Sequence, residues 1–139
     1  MKNLQETFGM SPWRKLLVVA SAFSLGLVMS AQALAQTSIR SINSVQQSGV
    51  EVVRIELSQP LTSVPNGFTV QTPPRIAIDL PGVVNGIGRS LVEINQGNLR
   101  SANVAQAGER TRIVLNLRQP SGYRAELQDN ALLLVLESA

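Results

Sequence analysis

A chain of 139 residues with 44% hydrophobic but only 4% aromatic content allows one domain with an aliphatic core and a short appendage. The net charge of +3 falls to +1 once Lys2, Arg14, Lys15 and Glu6 of the first fifteen residues are set aside, leaving nine Arg against eight acids, too little bulk charge to hold nucleic acid. No cysteine or histidine occurs anywhere, which excludes disulfides, thiolate ligands and imidazole acid–base chemistry.

The first element, residues 1–35, reads as a secretory signal. Arg14 and Lys15 close a basic region, Leu16 to Met29 form the apolar stretch, and Ala33-Leu34-Ala35 offers small residues for cleavage before Gln36. The competing reading, an uncleaved anchor over Leu16 to Ala35, is disfavoured because the strongly apolar run is short and the cleavage pattern follows at once. Residues 36–139 form the exported domain, and no later stretch is long and apolar enough to span a bilayer.

From Thr37 onward the chain is rich in Val, Ile, Leu, Thr and Ser, in short alternating runs punctuated by Gly, Pro and Asn, which predicts an all-β fold. Predicted strands run from Ile39 to Gln46, Val50 to Leu57, Gly67 to Gln71, Arg75 to Leu80, Leu91 to Ile94, Asn98 to Gln106, Thr111 to Leu117, Tyr123 to Leu127 and Ala131 to Leu136. The clearest is RIAIDLPGV, Arg75 to Val83. Ile76, Ile78 and Leu80 alternate with Arg75, Ala77 and Asp79, and Pro81-Gly82 ends the run in a turn. In the first strand Ile39, Ile42 and Val45 are spaced by three, which favours a bulged strand or a helical turn over simple alternation; a strand is retained. Gly82, Gly86 and Gly88 match no phosphate-binding pattern and read as a flexible crossover.

An offset of sixty exposes a duplication, with seven of twenty-two aligned pairs identical between residues 39–60 and 99–120. Arg40-Ser41 falls on Arg100-Ser101, Gln59-Pro60 falls on Gln119-Pro120, and Val53, Ile55 and Leu57 fall on Ile113, Leu115 and Leu117. The organising strand corresponds to Ala131 to Leu136, and Phe68 to Tyr123. Two related units with one apolar face each predict a β-sandwich in which residues 39–80 pack face to face on 99–136. The core should include Ile55, Leu57, Ile76, Ile78, Ile113, Leu115, Leu134 and Leu136, and both aromatic residues.

The residues available for chemistry are few. The acids are scattered; Glu51 and Glu56, or Glu126 and Asp129, stand at odd spacing on opposite strand faces and read as solvated edge groups. Asp79 reads as a surface ion-pair partner or turn cap. With no G-x-S-x-G elbow either, an enzyme is not expected, nor any cofactor or metal. The exported part uses Arg and never Lys, and the guanidinium fork grips carboxylates bidentately. Arg75, Arg100, Arg110 and Arg112 suit an anionic polymer, with Arg75, Arg100 and Arg112 taken as the candidate ligand contacts; compositional bias explains the same usage without a function.

Signal segment, duplicated β units and PPRIAIDLPG (Pro73 to Gly82) together resemble an AMIN domain, a module of exported cell-wall amidases and of type IV pilus secretins. VVRIELSQPLTSVPNGF (Val52 to Phe68) and NQGNLRSANVAQAGERTRIVLNL (Asn95 to Leu117) bring the secretin form nearest, and the resemblance covers residues 36–139. It implies a β-sandwich that binds peptidoglycan in the periplasm and takes part in pilus assembly at the outer membrane. Amidase activity is not implied, since no histidine-bearing catalytic part is present in this sequence. Two alternatives stand beside this: a module recruiting other pilus or cell-division proteins by strand addition, or the targeting domain of an amidase.

Overall fold

The computed structural model describes residues 36–137; the expected signal segment and its cleavage site lie outside the described residues. Ten strands make up the domain: β1 (Thr37–Gln47), β2 (Val50–Leu57), β3 (Gly67–Val70), β4 (Arg75–Pro81), β5 (Val83–Asn85), β6 (Leu91–Gln96), β7 (Leu99–Ala107), β8 (Arg110–Leu117), β9 (Gly122–Gln128) and β10 (Ala131–Glu137). Among the described residues there is no helix. The strands form two five-stranded sheets, ordered β5-β1-β2-β10-β9 and β3-β4-β8-β7-β6, called the first and second sheet below.

The alternating aliphatic residues bury one face of each sheet. Ile55, Ile76, Ile78, Ile113, Leu115 and Leu134 have no exposed surface, and Leu57 and Leu136 are also buried. With Ile39, Leu80, Leu99 and Leu132 they form one continuous core. Removing this apolar area from water is the main term holding the sheets together. Among the described residues, every buried side-chain N or O atom has a hydrogen-bond partner.

The spacing of three at the start of the first and seventh strands resolves as a bulge, not a helical turn. The β1–β2 register slips between Ile39 and Ser41, and the β7–β8 register slips between Leu99 and Ser101, so Arg40 and Arg100 are the extra residues. Each bulge resets the alternation: Ile39, Ile42 and Ser44 are buried and Val45 is exposed, just as Leu99, Ala102 and Val104 are buried and Ala105 is exposed. The repeat thus preserves a backbone irregularity as well as a hydrophobic pattern.

The duplication is distributed differently from the expectation of one half per sheet. β2 pairs with β10, and β4 pairs with β8, so each sheet takes strands from both halves. The physical reason is the crossover after β2: residues 58–66 carry the chain to the opposite sheet, and residues 118–121 do the same after β8. The two sheets remain related by a pseudo-two-fold that places β1, β2, β10, β9 on β7, β8, β4, β3 in the same order. It breaks at one edge, where β5 pairs parallel to β1 whereas β6 pairs antiparallel to β7.

Three further expectations change. The glycine-flanked crossover contains a strand, β5, fixed by hydrogen bonds from Gly82 N to Glu109 O and from Gly86 N to Ile39 O. Phe68 is not the counterpart of Tyr123. Phe68 sits opposite Ala77, whereas Tyr123 sits opposite Leu136 and the residue opposite Leu133 is Glu126; the register therefore equates Phe68 with Glu126, an offset of 58. Two residues are lost between β8 and β9 relative to β2 and β3, and β9 begins three residues earlier than β3 in that alignment. Accordingly Phe68 is 47% exposed while Tyr123 packs against the core, and burial pushes its hydroxyl pKa up.

Candidate functional site

The outer face of the second sheet is built from positions that alternate with the core. Strand register aligns them in rows: Val70, Arg75, Asn116, Ser101 and Glu93 form one row, and Phe68, Ala77, Val114, Asn103 and Leu91 the next. Asn116 Nδ2 donates to Ser101 Oγ at 3.0 Å and to Asn103 Oδ1 at 2.8 Å. The centre of the face is thus a small amide and hydroxyl network with the exposed apolar groups Phe68 and Leu91 at its flanks.

The three candidate arginines all lie on this sheet but do not converge. Arg75 stands beside Asn116, and Arg100, at the β7 bulge, is next to Ser101 in the same row. Two strand spacings separate them, roughly 10 Å between backbones. Arg112 belongs to another place, four residues further along the β4–β8 ladder opposite Asp79. Its Nε donates to Asp79 Oδ1 at 2.7 Å and its Nη2 to Oδ2 at 3.2 Å, and its guanidinium lies 5.4 Å from the Phe68 ring centroid, within cation–π range. Its fork is already satisfied by a carboxylate. The bond to Arg112, opposed by desolvation and aided by the charges of Arg112 and Arg110, holds the Asp79 carboxyl below its ordinary pKa. Among the described residues no carboxylate pairs with Arg75, Arg100 or Arg110.

Two clefts open where the crossovers leave the sheets. A cleft of about 270 Å³ lies along the first crossover, from Leu61 to Asn66, over Asp79, Leu80 and Arg110. A larger one, about 530 Å³, lies along the second, Gln119 to Ser121, over Val50, Val135 and Leu136. The pseudo-two-fold relates them: Val50 and Val52 are sixty residues before Arg110 and Arg112, and Val52 faces Val135 as Arg112 faces Asp79. Where the smaller cleft is lined by Arg110 and Asp79, its relative is lined by Val50 and Val135.

Hydrogen bonds between the sheets fix the walls of the larger cleft. Glu51 accepts from Ser44 Oγ and from the Asn98 backbone NH, both at 2.8 Å. Asn98 in turn donates through Nδ2 to Gln119 O and accepts through Oδ1 from the NH groups of Arg118 and Gln119. Ser121 Oγ donates to Glu137 O at 2.8 Å. Glu51 is therefore a cross-sheet anchor and not the solvated edge group expected of it. Arg124 stands at the mouth, with Nε 3.3 Å from Glu126 and Nη1 3.9 Å from Glu137.

Sequence reasoning did not identify this cleft. One signal was present, since the offset of sixty sets Val50 and Val52 against Arg110 and Arg112, an apolar-for-basic exchange at outward positions. Among the described residues no cluster of acids is placed to hold a metal ion.

Residues 38–136 match the family model described as the AMIN domain. The chain is 35% identical over 109 residues to the fimbrial assembly protein PilQ of Pseudomonas aeruginosa, covering 78% of this chain and 15% of that protein. It is 25% identical over 118 residues to the type IV pilus biogenesis and competence protein PilQ of Neisseria gonorrhoeae, covering 82% of this chain and 16% of that one, and likewise to the protein of the same name from Neisseria meningitidis. The chain spans about 15% of the length of these relatives.

Proposed function

The chain belongs to the AMIN domain family, and from that premise we propose that it is a non-catalytic, peptidoglycan-binding module of a type IV pilus secretin, exported to the periplasm, where it positions a pilus-assembly protein in the envelope. The observation that carries this reading is the outer face of the second sheet. There, an amide and hydroxyl network lies between two exposed apolar groups, with the unpaired forks of Arg75 and Arg100 beside it. Amides and hydroxyls suit sugar hydroxyl and acetamido groups, and guanidinium forks suit carboxylates. The relatives named for pilus biogenesis support the assignment to that machinery.

Acid–base poverty supports the non-catalytic part. There is no histidine or cysteine, Glu51 is held between two donors, and Asp79 is kept ionised by Arg112, which suits neither a proton donor nor a free base.

The test is co-sedimentation of the exported chain with purified sacculi across a salt series. Binding should weaken as salt rises, because exposed charges are screened over about 8 Å at physiological ionic strength, and Arg75→Ala and Arg100→Ala should each weaken it at low salt. Arg112→Ala should act less, because that fork is occupied by Asp79. Failure of the folded chain to co-sediment at low salt would overturn the reading in favour of a module that recruits other pilus proteins. Release of soluble wall fragments would overturn its non-catalytic part.

A further inference from the structure

The two related clefts are narrowed to different extents by the crossovers that wall them, to about 270 Å³ and about 530 Å³. In the smaller, the segment from Leu61 to Asn66 forms one wall beside the β4 end, with Asn66 O accepting from Asp79 N at 2.9 Å. In the larger, the crossover is shorter, residues 118–121 against 58–66, and the lining of Val50, Val135 and Leu136 stays open, with Val50 41% exposed. A volume of about 530 Å³ falls within the usual range of roughly 300–1,000 Å³ for small-ligand sites.

The charged groups narrow the choice. Arg124, Glu137 and Glu51 all line the cleft, Glu51 already held by Ser44 and Asn98. None is deeply sunk, and the Arg124 to Glu137 contact of 3.9 Å is long enough to yield to a better-placed partner. An internal stretch of a protein chain has no free termini and presents a carboxylate or an ammonium only where it carries Asp, Glu or Lys. A short peptide with both would meet an arginine, a pair of acids and an aliphatic floor at once.

The geometry points to this cleft as a seat for a short peptide bearing free carboxylate and ammonium groups. The inference rests on the wall-binding reading, within which the cleft takes the peptide stems of the polymer while the outer face of the second sheet takes its glycan.

Three probes test this: intact sacculi, sacculi whose peptide stems have been removed, and a soluble stem tripeptide used as competitor. Stripped sacculi should be retained about tenfold less well than intact ones, the tripeptide should compete for intact sacculi, and Val50→Trp and Arg124→Gln should each weaken that competition about tenfold, equivalent to roughly 1.4 kcal/mol. Both substituted positions are exposed or at the cleft mouth, and the two variants act by different means, one filling the floor and one removing the cation. Equal retention of stripped and intact sacculi, or no competition by the tripeptide, overturns the inference and leaves the wall-binding reading standing. No retention of either preparation overturns both. Competition as strong from a peptide capped at both ends overturns the charge requirement and assigns the cleft to a protein segment.

Discussion

Asp79 and Arg112 occupy the same register position as Val135 and Val52, so a single pair of exchanges sets an ion pair on one sheet where the other has two apolar side chains. Because Arg112 keeps the Asp79 carboxyl below its ordinary pKa, the pair's contribution is fully present above the unfolded-state value of about 3.9 and is lost as pH falls through the lower folded value. The Arg112 Nε–H resonance should accordingly hold its bonded position from pH 8 down to 5 and shift only below about pH 4; movement between pH 5 and 7 would contradict the bidentate geometry. Gly67 is a second decisive residue. A Cβ there would come 2.6 Å from both the Ala77 carbonyl oxygen and Ile78 Cδ1, and would meet the Tyr123 hydroxyl. Gly67→Ala should destabilise the fold by about 1–3 kcal/mol in urea titration, and Tyr123→Phe should restore only part of this, since the backbone oxygen remains. Ile78 and Leu115 face each other's strands from the centre of the core, both with no exposed surface; either one changed to Ala should cost about 2–5 kcal/mol.

At the scale of strands, the paired bulges make a sharper prediction than any side chain. Arg100→Ala leaves the backbone path intact and should change stability by no more than about 0.5 kcal/mol. Deleting Arg100 removes the extra residue and leaves Leu99, Ala102 and Val104 in simple alternation on the core face, so it too should keep the fold, whereas one alanine inserted after Asn103 turns either Val104 or the pair Leu99 and Ala102 out of the core and should cost about 3 kcal/mol or more. Equal denaturation midpoints for the deletion and the insertion would show that phase does not decide burial in this strand. This irregularity was legible in the sequence as the spacing of three at Ile39 and Ile42, because a one-residue insertion leaves that trace. The period-2 strands were legible for the same reason, down to the buried faces of β2, β4, β8 and β10. β5 was not, since three residues between Gly82 and Gly86 carry too little pattern and are ordered by partners far away in sequence, Ile39 and Glu109. The exposure of Phe68 was missed because the crossover lengths, and hence the offset, change between Pro60 and Gly67. Of the candidate site, residue type pointed to the arginines, but only register could reveal that Arg112 is already engaged and that Val50 lies in the larger cleft.

For the whole molecule, the duplication shows which strands are alike but is silent on which ones pair, because either arrangement buries the same faces. The exchange of strands between halves makes the halves interdependent. Residues 36–86 and 87–137 expressed separately should each remain unfolded by circular dichroism and amide exchange, and should regain protection when mixed; a half that folds alone would contradict the shared sheets. The same arrangement bears on how the module responds to force. β1 and β10 both flank β2 and run antiparallel to it, so they are parallel to each other, and the start of β1 and the end of β10 lie at opposite ends of the first sheet. A load applied at residues 36 and 137 therefore runs along the strands, across ladders whose hydrogen bonds lie perpendicular to it, and must shear both at once instead of unzipping them bond by bond. Single-molecule extension through those two points should give one high-force rupture, well above that obtained by pulling at the two ends of the β9–β10 hairpin.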